Sequence, residues 1–148
     1  MINTVVIARL MHLTPEFYGV MGCNRLEQFR GVEKASFILN TDPDDKPGKH
    51  WVGVYIEDGT LFFFDSFGRG IQHFADPFRT ILQNFAKGYN VITDSRNLQC
   101  IFNDSCGYWV VYYILCKTCA LYGFRHFVAN TFINEGMLHA QLMYLNLI

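Results

Sequence analysis

Cys106 stands between Asp104-Ser105 and Gly107, where a polar loop gives way to a long apolar run. The spacing predicts it in the first turn of a helix capped by Ser105. A thiol there feels about half a positive charge from the helix terminus, and a nearby imidazolium adds to that field. Together they favour the thiolate, whereas an ordinary cysteine with a pKa of about 8.5 is ionised only to a few per cent at neutral pH. The chemistry this suits is nucleophilic attack on a carbonyl. Gly107 would leave room for a substrate backbone, and the unpaired amides of the first turn would face the developing oxyanion. Cys116 and Cys119 fall deep inside the apolar run and read as small buried hydrophobes.

A thiolate needs a proton partner, and His50 and Asp65 supply one if two strands pair as their composition implies. His50 to Ile56 (HWVGVYI) and Thr60 to Asp65 (TLFFFD) are rich in β-branched and aromatic residues and flank an Asp58-Gly59 turn. With a two-residue turn, Val52 lies opposite Asp65, and His50 and Asp65 become diagonal neighbours within about 7 Å on one sheet face. A slip of one residue would separate them. Gln99, seven residues before Cys106, reads alone as a solvated strand residue; in this company its amide is placed to donate to the same oxyanion. Trp51, directly after His50, suits either the core or the wall of a substrate cleft.

The elements that must hold these residues follow from periodicity and punctuation. Ile2, Val5, Val6, Leu10 and Met11 recur at helical spacing, which predicts a first helix over 4–12 capped by Asn3 or Thr4. Ser36 to Asn40 is a short strand candidate before a loop with two prolines. Asp76-Pro77 opens a helix that carries Phe78, Ile81, Leu82 and Phe85 on one face and ends before Gly88. Asn90 to Thr93 and Leu98 to Phe102 read as short strands. Gly107 to Phe124 carries one charge, Lys117, and is at the short end of membrane-spanning length; being apolar all round, it is expected to be a helix wrapped by the rest of the fold. Residues 137–148 are expected to form a last amphipathic helix, with 126–136 as a connection. Both hairpin strands are apolar on both faces, so helices should cover both sides of the sheet, giving an α+β class.

Composition bounds the rest. The 148 residues suit one domain over 1–148, and 51% hydrophobic with 17% charged excludes disorder. A net charge of -1 gives no reason to expect nucleic acid or an acidic membrane as the main partner. Five unevenly spread cysteines suit a reducing compartment. Residues 1–13 lack a basic n-region and a cleavage site, so no signal peptide is read there. No phosphate loop or dinucleotide fingerprint occurs, and Cys116-x-x-Cys119 inside an apolar helix is a poor zinc motif, so neither a cofactor nor a metal is expected.

The order His50-Trp51, Phe64-Asp65-Ser66-Phe67-Gly68, Gln99, Ser105-Cys106-Gly107 resembles the adenovirus-type cysteine proteases, the adenain family with its relatives in Polinton-like elements and virophages. Residues 15–20 and 36–41 extend the likeness, which covers roughly 3–124. The interval from Gln99 to Cys106 fits adenains better than the related deSUMOylating enzymes of the Ulp1-like clan, where it is usually one shorter. The resemblance implies a papain-like fold with the nucleophile at the start of a buried central helix. It implies His50 as general base, Asp65 as its orienting acid, Cys106 as nucleophile and Gln99 as oxyanion donor. Trp51 and Gly107 would line the cleft.

The implied partners are viral precursor proteins cleaved at glycine-containing sites during maturation, in the virion and host nucleus. Adenains are stimulated by a disulfide-linked peptide and by DNA; no cysteine lies between Ser66 and Leu98 to accept such a peptide, and the near-neutral charge argues against DNA. The alternatives are a ubiquitin-like-protein isopeptidase, an acetyltransferase working through an acyl-cysteine, and a degenerate binding domain with an unreactive Cys106.

Overall fold

A computed structural model describes residues 1–119 and 127–148. Helix α1 (Thr4–Met11) is followed by β1 (Phe17–Gly22), a 3-10 helix (Cys23–Phe29), β2 (Ala35–Asn40), β3 (Trp51–Glu57) and β4 (Thr60–Phe64). A second 3-10 turn (Ile71–His73), α2 (Phe78–Phe85), β5 (Asn90–Thr93), α3 (Cys106–Thr118) and α4 (Thr131–Tyr144) complete the order. The strands form one five-stranded sheet in the order β1-β2-β3-β4-β5. β3 runs antiparallel to β2 and β4, and each edge strand runs parallel to its neighbour. Parallel neighbours need a crossover. The first 3-10 helix supplies one between β1 and β2, and α2 lies within the other between β4 and β5.

The central hairpin forms in the expected register: Gly53 pairs with Phe64 and Glu57 with Thr60. Asp58 and Gly59 both have positive φ, 51° and 73°, the backbone of a two-residue turn whose twist matches that of the strands. Side chains alternate between two cores, one on each face. Val52, Val54, Ile56, Leu61 and Phe63 pack with α2 and the first 3-10 helix, while Trp51, Tyr55, Ile38 and Phe64 pack with α1, α3 and α4. α3 lies directly on β3. A Cβ at Gly53 would stand 3.0 Å from Val110 Cγ1, so the bare glycine lets the helix approach the strand closely. The Phe64 and Tyr113 rings stack across the same contact, with centroids 4.3 Å apart.

Three elements differ from their sequence-based expectation. No strand forms at Leu98–Phe102: the amides of Leu98 and Gln99 both donate to the Ser66 carbonyl, which folds the segment into a loop, and Ile101 and Phe102 stand exposed at 73% and 81%. α4 starts at Thr131 rather than near Met137, because the Asn130 side chain accepts from the amides of Phe132 and Ile133. β1 had no strand reading at all. Among the described residues no helix is long and apolar enough to cross a membrane; 120–124 of the apolar run and His126 lie outside them.

Candidate active site

His50 is the last residue before β3 and Asp65 the first after β4, so the hairpin register alone brings them together. The loop ahead of His50 is fixed as well: Asn40 Oδ1 accepts from the amides of Asp42 and Lys49, and the His50 carbonyl accepts from Thr41 N. Nε2 of His50 lies 2.5 Å from Asp65 Oδ1. The Asp65 carboxylate is fully buried, which requires donors on its other oxygen. Arg69 provides two, with Nε at 2.7 Å and the backbone amide at 3.2 Å from Oδ2. Gly68 makes this reach possible. At φ 78° it closes a turn in which its amide donates to the Asp65 carbonyl, and a Cβ there would meet Ser95 O at 2.6 Å.

The third group arrives from the opposite side of the sequence. α3 begins at Cys106, and the start of the helix lies over the start of β3: Trp51 Cδ1 stands 3.1 Å from where a Cβ of Gly107 would be. The Cys106 side chain is thereby within hydrogen-bonding reach of the His50 ring. The imidazole stacks on Phe67, with centroids 5.5 Å apart. Burial works against the charged ring, but the hydrogen bonds and charges of Asp65 and Cys106 outweigh it and push the His50 pKa up to about 9. Burial likewise opposes the Asp65 carboxylate, yet its hydrogen bonds to His50 and Arg69 hold it below the usual carboxylate range.

Gln99 is buried in the loop before α3. Its Oε1 accepts from the Ser66 hydroxyl and its Nε2 donates to Asn103 O at 2.7 Å, which orients the amide and leaves Nε2 a second hydrogen. Ser105 precedes α3 as expected but makes no side-chain cap; its hydroxyl donates to the Glu135 carboxylate instead. The first-turn amides are therefore left without a side-chain acceptor among the described residues. Gly107 is closely packed. Ile2 Cγ1 would lie 2.5 Å from a Cβ there, so Ile2 and Trp51 pack against the bare glycine. Trp51 is itself buried, with its indole N–H donating to Ile2 O.

Two cavities flank this centre. One of about 420 Å³ includes Ile2, Asn40, Gly48 and Trp51 in its lining, and one of about 370 Å³ includes Asn103, Ser105, Tyr108 and Glu135. Sequence reasoning missed Ser66, Arg69 and Glu135. Arg69 follows the Phe-Gly turn closely enough to have been suggested by the turn itself, whereas no local signal marks Glu135.

No family model matches the chain. It is similar to the protease of bovine adenovirus 7, 24% identical over 135 residues that cover 84% of this chain and 63% of the relative. It is also 24% identical over 117 residues to the protease of ovine adenovirus D serotype 7, covering 72% of this chain and 58% of that protein. The chain thus spans about three fifths of the length of these curated relatives. Among solved structures, the C-terminal protease domain of Ulp1 in complex with Smt3, the yeast ortholog of SUMO, superposes with a TM-score of 0.55 at 15% identity, covering 81% of this chain and 66% of that one. The α+β fold is shared with that domain, and the sequence likeness read from the motif order falls on relatives named as adenovirus proteases.

Proposed function

We propose that the chain is a cysteine endopeptidase in which Cys106 attacks a peptide carbonyl. The observation that carries this reading is the ordered contact of three groups: a buried Asp65 carboxylate, the His50 ring bonded to it at 2.5 Å, and a helix-start thiol within reach of that ring. His50, its pKa pushed up to about 9, is the group that takes the thiol proton as Cys106 attacks. Attack by the sulfur gives a tetrahedral oxyanion, which the first-turn amides of α3 and the remaining N–H of Gln99 stabilise. His50 protonates the departing amine as the C–N bond breaks, leaving a thioester on Cys106. Water, deprotonated by His50, then releases the acid and restores the thiol.

Similarity to the adenovirus proteases supports viral precursor proteins as substrates and glycine-containing sites as the points of cleavage, with the buried Trp51 narrowing the cleft beside the nucleophile. A reducing setting such as the host nucleus or the virion suits five free thiols. The fold shared with the Ulp1 domain favours one second reading, removal of a ubiquitin-like protein from its conjugates.

Alkylation with iodoacetamide from pH 5 to 9, with the label located by mass spectrometry, tests the catalytic pair. Selective early labelling of Cys106 is expected, slowed about tenfold or more by His50→Ala. Even labelling of several cysteines at the pace of an ordinary thiol would reject it. Side-by-side digestion of a glycine-site peptide library and a ubiquitin-like fusion, with Cys106→Ser as the blank, separates the two substrates.

A further inference from the structure

Glu135, on the first turns of α4, accepts hydrogen bonds from three donors around the nucleophile. Cys100 N donates to it at 2.9 Å, the Ser105 hydroxyl at 2.9 and 3.0 Å, and the Trp109 indole N–H at 3.3 Å. These donors lie in the loop that carries Gln99, immediately before Cys106, and three residues after it in α3. Its neighbour Asn134 is fully buried, and its Nδ2 donates to Leu98 O of the same loop at 3.3 Å as well as to Val128 O, just ahead of α4, at 2.6 Å. Two consecutive residues of α4 therefore grip the loop from Leu98 to Ser105. The grip has a further consequence for the amides of α3: a serine at a helix start ordinarily turns its hydroxyl onto them, and here that hydroxyl is drawn to the carboxylate.

We propose that Glu135 is a positioning residue that fixes the start of α3 against the Gln99 loop, so that the Cys106 sulfur meets the His50 ring and the first-turn amides stay open to an oxyanion. The inference rests on the catalytic reading of Cys106. Glu135 itself touches no reacting atom; it acts through Ser105 and the loop. A misplacement of about 1 Å at a catalytic group can cost up to about a hundredfold in rate, so loss of the grip should register in turnover rather than in substrate affinity.

Glu135→Ala, Glu135→Gln and Glu135→Asp should be compared with the wild-type chain in two assays. One is the alkylation rate of Cys106 at pH 6; the other is kcat and KM on a cleaved peptide, normalised to folded protein by circular dichroism and melting temperature. Positioning predicts that Glu135→Ala slows both alkylation and kcat about tenfold or more with KM within about threefold of wild type. Glu135→Gln, which keeps an acceptor at full reach, should recover to within about threefold of wild type. Glu135→Asp keeps the charge but is one methylene short and should fall below Glu135→Gln; this comparison decides the matter if the alanine variant does not fold. Wild-type rates per folded molecule in Glu135→Ala, a glutamine variant as slow as the alanine one, or an aspartate variant equal to the glutamine one would each overturn the proposal. A wild-type Cys106 that is not selectively alkylated would instead reject the catalytic reading beneath it.

Discussion

Asp65 meets the imidazole with one oxygen and a guanidinium with the other, and that division sets what it can do. Oδ2 is held by Arg69 Nε and the Arg69 amide, so Oδ1 has one orientation and fixes the His50 ring through Nε2. The same carboxylate is a main reason why the ring holds its proton up to about pH 9. Asp65→Asn removes the charge and, with its amide nitrogen able to face Nε2, also disfavours the productive tautomer. The expected result is a fall in kcat of about 10² to 10⁴, together with an alkaline limb of kcat/KM that moves from near 9 to lower pH. The limb is the more telling readout, because misfolding would lower the rate without displacing it. A limb unchanged in the asparagine variant would mean that Asp65 does not set the proton affinity of His50.

At the scale of elements, the site depends on how closely α3 lies on β3. A methyl group added at Gly53 would press on Val110 Cγ1 at 3.0 Å, with Ile114 and Tyr113 behind it at 3.6 and 3.7 Å. Gly53→Ala should therefore destabilise by about 1–3 kcal/mol in urea unfolding. Val110→Ala removes the opposing methyl and should offset part of that loss, so the double variant is expected to be more stable than the two single costs add up to. Strict additivity would show that the gap between helix and strand is looser than it looks.

The elements also show what can be read in advance. The hairpin was legible because Asp58-Gly59 and the strand alternation agree on one register, and that register carries His50 to Asp65. β1 was not, since Gly19 and Gly22 interrupt its apolar pattern and its partner β2 is supplied by a distant pairing. The run from Leu98 to Phe102 misled because apolar content stood in for burial, although Ile101 and Phe102 face solvent. α4 misled in the same way: Phe132, Ile133 and Tyr144 are exposed, which blurs the stripe that would have marked its start. Glu135 went unread with it, as a carboxylate on an undetected helix turn has no local signature.

For the molecule as a whole, the buried pair links catalysis to folding through protons. Folding raises the His50 pKa from 6.5 to about 9, so the native state binds this proton more tightly than the unfolded chain does. The stabilisation is complete below pH 6.5, declines as pH rises from there, and is gone above about 9; at full strength it amounts to at most about 3 kcal/mol. Asp65 acts with the opposite sign: its lowered pKa contributes stability above the ordinary carboxylate range that is lost on acidification. Stability should thus be greatest from weakly acidic to neutral pH and fall on the alkaline side before the lysines titrate. Buried Cys23, whose thiol is pushed up by burial, adds an alkaline slope of its own, so the wild-type curve alone cannot isolate the histidine. Subtracting the curve of His50→Gln does, because the Cys23 slope is common to both. The difference in unfolding free energy between the two proteins, measured in urea at half-unit steps from pH 6 to 9.5, should shrink steadily as pH rises. A constant difference across that range would show that His50 gains no proton affinity on folding.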